Sequence, residues 1–187
     1  ISRLGSRLTA EAPAVCFPEN EEEVRGQIAK AADLGVESLF AENVYALRLG
    51  HETGLTVYGG AGLNVLNTRA LDDLAEQGLA AATVSFELRM SKISALGGAL
   101  PRGYIAYGRL PMMRADFPIL CYKRRFQTIL NSIPLHIGGK PQAKCDFRLL
   151  YFTTESRAEC EAIAAEIAED RQSARERTGG LYYRELK

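Results

Sequence analysis

The feature that most constrains the fold is a regular alternation of short apolar runs and amphipathic helical segments in the first part of the chain. The apolar runs are centred near Val15, Leu39, Val57, Val84 and Ile105, about one strand–helix unit apart. Strands that alternate with helices in this way pair in parallel within one sheet. The pattern therefore predicts an α/β fold with about five βα units.

Five βα units are too few to close a β/α barrel, which needs eight strands. Either the sheet is open or strands are absent from this chain, and the start at Ile1 without an initiator methionine favours the second alternative. We predict a partial TIM-like (β/α) barrel over residues 12–115. Residues 116–187 are predicted to form a β-rich α+β appendage with one helix and a C-terminal closing strand.

Sequence signals also predict where individual elements begin and end. Ala12–Phe17 is an apolar run that predicts the first strand. Asn20 and Glu23 have the spacing of a capping box, which predicts the start of the first helix. Thr154 is predicted to cap the helix of the appendage, and Gly180–Arg184 to form a closing strand or a docked tail.

A glycine- and asparagine-rich turn, with the sequence YGGAGLNVLN from Tyr58 to Asn67, follows the third predicted strand. Its glycines allow positive φ or a close approach to another group. The turn is not a phosphate loop, because it lacks the GxGxxG spacing and no GK[ST] follows. Capping by Asn67 or Thr68 explains one polar residue, but Asn64 and Asn67 together favour a site.

Polar side chains follow the carboxyl ends of the predicted strands, where open α/β sheets and β/α barrels bind their ligands. We therefore predict that side chains from several strand ends line one cavity. The predicted catalytic residues are Glu87, Asn64 and Asn67. The predicted substrate-binding residues are Arg109, Glu42 and Asn43.

The chemistry of these residues suggests their roles. Glu42 and Glu87 suit an acid and a base, or two metal ligands, whereas Arg109 suits bidentate binding of a carboxylate or phosphate. An equally weighted alternative for Glu87 is capping in the first turn of a helix.

Several classes of function are disfavoured. The 23 basic and 23 acidic residues cancel, so the chain has no global field that attracts nucleic acid or an anionic membrane. His51-Glu52 lacks the second histidine of an HExxH zinc motif, and we expect that His51 binds no metal. No GxSxG elbow occurs, and no histidine is an evident base for Ser85.

The four cysteines are scattered without a CxxC pair, which favours a reduced, cytoplasmic setting. The longest apolar runs are too short to span a membrane. The oligomeric state stays open at this point.

Five segments, in the same order along the chain, resemble the collagenase-like peptidase family of unknown catalytic type, number thirty-two in the peptidase classification. These segments are Gly62–Asn67, Thr83–Leu88, Tyr107–Met113, Leu130–Leu135 and Gly180–Arg184. The resemblance implies a β/α barrel and an annotation as a peptidase with no settled mechanism. It also implies an alternative, because several relatives hold an iron–sulfur cluster on four cysteines and help to hydroxylate RNA bases or a quinone precursor.

The chain departs from the family pattern after Met113. The family continues through a cysteine-rich stretch, whereas here Ala115 is followed at once by Asp116. Cys121 matches the last family cysteine, so it is a metal ligand only if the cysteine-rich segment exists in the intact protein. We predict that this segment lies between Ala115 and Asp116.

Three functions remain open. The first is a peptidase acting on a peptide, and the second is an iron–sulfur protein acting on RNA or a quinone precursor. The third is a module that binds a peptide or nucleotide without chemistry.

Overall fold

The computed structural model describes residues 7–115 and 127–184, apart from the side chains of 112–115 and 127–129. The chain divides into two compact units. The first runs to Tyr104 and includes Ala143–Phe147, and the second contains Ile105–Gln142 and the residues from Arg148 onward. The division predicted after Ala115 stays a prediction, since residues 116–126 lie outside the described ranges.

The first unit alternates strands and helices, as the apolar runs predicted. Its elements are β1 (Thr9–Glu11), α1 (Glu21–Asp33), β2 (Ser38–Ala41), α2 (Val44–Glu52), β3 (Thr56–Gly59), α3 (Thr68–Glu76), β4 (Ala81–Thr83), α4 (Met90–Ala95) and the first part of β5 (Arg102–Gly108). The five strands pair in parallel in chain order, from β1 to β5. The prediction of an α/β fold with a parallel sheet is confirmed, and the arrangement is consistent with part of a β/α barrel.

One face of this sheet carries the core of the first unit. Leu39, Val57 and Ala82 are at most 1% exposed. In α2, a Cβ on Gly50 would lie 2.5 Å from Val57 Cγ2, so glycine lets this helix approach the sheet closely. Burial alternates along β3, and Tyr58 on the other face is 38% exposed. The alternation follows from the two-residue period of a strand.

The second unit is mostly antiparallel. Its remaining elements are β6 (Pro111–Ala115), β7 (Gln127–Leu130), β8 (Leu135–His136), most of β9 (Phe147–Tyr151), α5 (Arg157–Ala168) and a 3-10 helix (Gly180–Tyr183). Strands β6 and β7 pair with each other, and β8 pairs with the end of β5, with Tyr107 opposite His136.

The first strand was predicted in the wrong place. It is β1, and Ala12–Phe17 has no regular structure. The amide Nδ2 of Asn43 donates to the carbonyl oxygens of Pro13 and Ala14 at 3.0 Å each, so a side chain takes the acceptors that a strand would use. The capping box at Asn20 is also wrong, because its Oδ1 accepts the N–H of Phe17 at 2.8 Å.

Two predictions at the C-terminal end are also corrected. Helix α5 is capped by Ser156 and not by Thr154, because Ser156 and Glu159 form a capping box. The predicted closing strand at Gly180–Arg184 is a 3-10 helix over its first four residues. Tyr182 is only 1% exposed, so this segment is the docked tail that was the alternative prediction.

Two further predictions fall at or beyond the limits of the described residues. Asp116 and Cys121 both lie outside the described ranges, so the cysteine-rich segment after Ala115 and the role of Cys121 as a metal ligand stay predictions. Within the described residues, no helix combines the length and the apolar character that crossing a bilayer requires.

Candidate functional site

The turn after β3 is built around the carboxylate of Glu42, which follows β2. Its Oε2 accepts the N–H of Gly62 at 2.6 Å. A Cβ on Gly60 would lie 2.4 Å from Glu42 Oε1, and one on Gly62 would lie 2.3 Å from the Glu42 carbonyl oxygen. Close approach of Glu42 therefore explains both glycines, since Gly60 has a negative φ of −84°. Glu42 holds the turn that carries Asn64.

Asn64 ends the 3-10 helix of this turn in the left-handed conformation, with φ 50° and ψ 50°. Asparagine is among the few residues other than glycine that adopt this region readily. Its side chain is exposed, whereas Val65 is fully buried. Val65 forms a parallel bridge with Val84, and its carbonyl oxygen accepts the N–H of Ser85 at 3.0 Å. The glycine- and asparagine-rich turn from Tyr58 to Asn67, called the asparagine turn below, therefore lies against the end of β4.

Glu87 lies on the segment that leaves β4, and its side chain is exposed. Its N–H donates to Ser85 Oγ at 3.3 Å, which fixes the local backbone. Helix α4 begins at Met90 with Arg89 in the N-cap position and no acidic residue in its first turn. Helix capping therefore does not account for Glu87. The structure brings Asn64 and Glu87 onto neighbouring segments at the carboxyl edge of the sheet.

Asn43 and Asn67 have a local structural role. Asn43 Oδ1 accepts the N–H of Ala46 at 2.8 Å and caps α2. Asn67 Oδ1 accepts the N–H of Ala70 at 2.9 Å and caps α3. These bonds satisfy the first turns of both helices. Their roles in binding and catalysis stay predictions.

Arg109 belongs to the second unit. Its Nη1 donates to the carbonyl oxygens of Asn131, at 3.3 Å, and Ser132. Its Nε lies 3.8 Å from Glu155 Oε1, which is too far for a hydrogen bond. A cavity shared by Arg109 with the residues of the first unit stays a prediction.

A buried polar cluster of the second unit was missed by sequence reasoning. The Tyr107 hydroxyl donates to Glu155 Oε1 at 2.8 Å. Glu155 Oε2 accepts the N–H groups of Thr153 at 2.7 Å and Thr154 at 3.0 Å. Burial alone would raise the pKa of Glu155, but these donors outweigh it and hold the pKa below its ordinary value. Burial and the neighbouring Glu155 raise the pKa of Tyr107 to about 12.

His136 lies against the same tyrosine, with their ring centroids 6.1 Å apart and nearly perpendicular planes. Its Nδ1 accepts the N–H of Gly138 at 3.2 Å, so in the neutral ring Nε2 carries the hydrogen. Nε2 donates to Glu166 Oε2 at 3.0 Å. Because both nitrogens are bonded within the fold, His136 is a structural group and is not positioned as a base.

No sequence signal identified this cluster, because its members come from separate elements. Tyr107 is 48 residues from Glu155, and His136 is 30 residues from Glu166.

His51 lies on α2 and is exposed. Over residues 7–115 and 127–184, no group of three or more histidine, cysteine, aspartate or glutamate side chains is arranged to hold a metal ion.

Comparison with solved structures found a protein with a similar fold. The fold is similar to that of a U32 peptidase. The matched structure is the U32 peptidase Mk0906, with a TM-score of 0.52 over 79% of this chain and 70% of that chain. The two sequences are 13% identical, so the likeness shows the fold alone. No protein-family model and no curated protein matches the sequence.

The likeness to a U32 peptidase supports, at the level of the fold, the family resemblance found in the sequence motifs. The described cysteines do not provide the ligands of the cluster that some relatives of that family hold. Their thiols form local hydrogen bonds, from Cys16 to Asn20, from Cys145 to Phe147 and from Cys160 to Glu155. Cys121, the one cysteine that matches the family pattern, lies outside the described residues. A cluster therefore stays a prediction about the intact protein.

Proposed function

We propose that this protein is a peptidase that acts at the carboxyl edge of its parallel sheet, with Glu87 as the general base. The observation that carries the proposal is the placement of Glu87 beside the asparagine turn. Val84 and Val65 bridge the two segments, and both Glu87 and Asn64 are exposed. The fold likeness to a U32 peptidase supports a peptide as the substrate.

The chemistry requires a base for water and donors for the oxyanion. In this mechanism Glu87 takes a proton from water, which then attacks the carbonyl carbon of the scissile bond. The same carboxylic acid returns the proton to the leaving amine nitrogen. The amide group of Asn64 donates a hydrogen bond to the developing oxyanion. Because Glu87 and Asn64 are exposed, an extended peptide can reach both side chains.

Glu87 is favoured over Glu42 because their surroundings differ. Glu42 is half-buried and accepts the N–H of Gly62. Its role in the proposal is to position the turn, and hence Asn64. Arg109 is retained as a substrate-binding residue in the second unit, through its guanidinium charge.

The test compares the rates at which three forms of the protein hydrolyse denatured collagen and an internally quenched peptide. Glu87→Gln keeps the size of the side chain but removes the base, and a loss of roughly 100-fold or more is expected. Glu76→Gln is the matched control, because Glu76 is an exposed residue at the end of α3. Equal rates for the Glu87 variant and the wild type would contradict the proposal. Tight peptide binding without turnover by the wild type would instead favour a module without chemistry.

A further inference from the structure

We propose that Arg109 and Arg177 form an anion site in the second unit that binds the terminal carboxylate of a peptide. The choice of a peptide rests on the proposed function, whereas the anion site itself rests on the geometry of the two guanidinium groups.

The first observation is that both arginines have an unused donor. The Nε atoms of Arg109 and Arg177 are buried and have no hydrogen-bond partner. A guanidinium has five N–H donors and no acceptor, so each unpaired Nε–H is a donor with which a bound anion could pair. Arg102 of the first unit also has an unpaired buried Nε, but Arg109 and Arg177 both belong to the second unit.

The second observation is that both arginines lie around one phenol. The guanidinium carbon of Arg177 is 5.8 Å from the centroid of the Tyr107 ring. Arg109 Nε lies 3.8 Å from the Glu155 oxygen that accepts the Tyr107 hydroxyl. One guanidinium therefore lies over the face of Tyr107, and the other lies near its hydroxyl end. Both positive charges oppose the rise in the pKa of Tyr107 that burial causes.

The third observation concerns the nearby carboxylates. Glu155 lies 3.8 Å from Arg109 Nε, and its oxygens already accept three hydrogen bonds, from Tyr107, Thr153 and Thr154. Glu166 Oε2 accepts a hydrogen bond from His136. Both carboxylates are bonded to other donors, and neither pairs with the Nε–H of Arg109 or Arg177.

Both guanidinium groups donate to backbone carbonyl oxygens, and Arg177 Nη1 donates to that of Glu176 at 2.8 Å. Arg109 Nη1 is bonded to the carbonyl oxygens of Asn131 and Ser132. Thr178, next to Arg177, donates its N–H to the Pro134 carbonyl oxygen at 3.2 Å and accepts the N–H of His136 at 3.0 Å. Such anchoring reduces the conformational entropy that the arginine side chains lose when a ligand binds. Arginine is also the residue best suited to bidentate binding of a planar carboxylate.

The test measures binding apart from hydrolysis, by calorimetry on the full chain carrying Glu87→Gln. The probes are an N-acetylated hexapeptide with a free carboxylate, the same peptide with a C-terminal amide, and inorganic phosphate. The free acid is expected to bind roughly 10- to 100-fold more tightly than the amide. Arg177→Gln and Arg109→Gln should each abolish this preference. Arg157→Gln is the control and should keep it, because Arg157 is a 92% exposed arginine on α5.

Equal binding of acid and amide would overturn the proposal, as would an unchanged preference in both arginine variants. Phosphate binding without any preference for the free acid would also overturn it, in favour of a phosphate-bearing ligand. Arg177→Lys keeps the charge but not the planar fork, so it replaces Arg177→Gln if that variant unfolds, and a reduced preference is expected. A preference that survives while the wild type hydrolyses no peptide would support the anion site and contradict the peptidase.

Discussion

Tyr107 donates its hydroxyl hydrogen to Glu155 Oε1 across 2.8 Å, and this bond ties β5 to the loop that precedes α5. Tyr107 is 1% exposed, and the Glu155 side chain is 6% exposed. The charged form of the buried Glu155 carboxylate is stabilised by its hydrogen-bond donors, because burial without hydrogen bonds disfavours a charge.

The first prediction is that Tyr107→Phe lowers the free energy of unfolding by about 1–3 kcal/mol, because Glu155 loses a donor while it stays buried. Urea unfolding gives the measurement. Tyr58→Phe is the control, since Tyr58 is 38% exposed, and a change within about 0.5 kcal/mol is expected. Equal changes in the two variants would show that the hydroxyl of Tyr107 contributes no stability.

The second prediction concerns acid. Burial raises the pKa of Glu155, but the hydrogen-bond donors around it outweigh burial and lower the pKa from its ordinary value of 4.5. A lowered carboxylate pKa stabilises the fold above the unfolded-state pKa, and this stability is lost as the pH falls through the folded-state pKa. Stability should therefore fall as the pH drops below about 4.5, and Glu155→Gln should make this decline shallower. Unfolding midpoints measured from pH 6 downward test this, with the exposed Glu161→Gln as control. An unchanged acid decline in Glu155→Gln would contradict it.

The third prediction concerns His136. Burial lowers its pKa from 6.5, against the opposing effect of Glu166, and Arg177 and Lys140 act in the same direction as burial. Tyr107, which also faces the ring, is neutral in this range, since its pKa is about 12. A lowered histidine pKa gives stability that is present above 6.5 and is lost as the pH falls through the folded-state pKa.

Proton NMR of the imidazole resonances tests this directly. The chain has two histidines, so in the His51→Gln variant all imidazole signals come from His136. Its ring should stay neutral at pH 6.5, and Nε2 should carry the proton. A midpoint at or above 6.5 would contradict the assignment.

Part of the fold could be predicted from sequence because its signals are local. The apolar runs at Leu39, Val57 and Ile105 fall in buried parallel strands. The first strand was misplaced because Pro13 and Ala14 are apolar, yet their carbonyl oxygens are bonded to the side chain of Asn43. That bond spans about 30 residues, and no periodicity in the sequence shows it.

The candidate site was less predictable than the fold. Position after a strand correctly placed Glu42 and Asn64 at one edge, because parallel strands end together. The position of Glu42 after a strand could not predict that its carboxylate accepts a hydrogen bond from the N–H of Gly62. Nor could position along the chain indicate that Tyr107 and Glu155 pair, since only tertiary packing brings them together.

The fourth prediction compares two glycines. Gly62→Ala should be destabilising, since its Cβ would lie 2.3 Å from the backbone oxygen of Glu42, which cannot move without shifting the end of β2. Gly26→Ala is the matched control within α1, where nothing lies within 4 Å of the added Cβ. This second change should be stabilising by about 0.5–1 kcal/mol. Urea unfolding measures both. Similar stabilities for the two variants would contradict a close approach of Glu42 to the turn.

If a peptide binds at the carboxyl edge of the parallel sheet, NMR mapping of the bound peptide will locate it there. The measurement uses ¹⁵N-labelled Glu87→Gln protein and an amidated peptide, so that neither hydrolysis nor a terminal carboxylate contributes. Peptide binding is expected to shift the backbone amide signals of residues 60–66 and 85–88, with that of Asn64 among the largest shifts. Shifts confined to the opposite edge, around Gly35, Gly54 and Gly78, would contradict it.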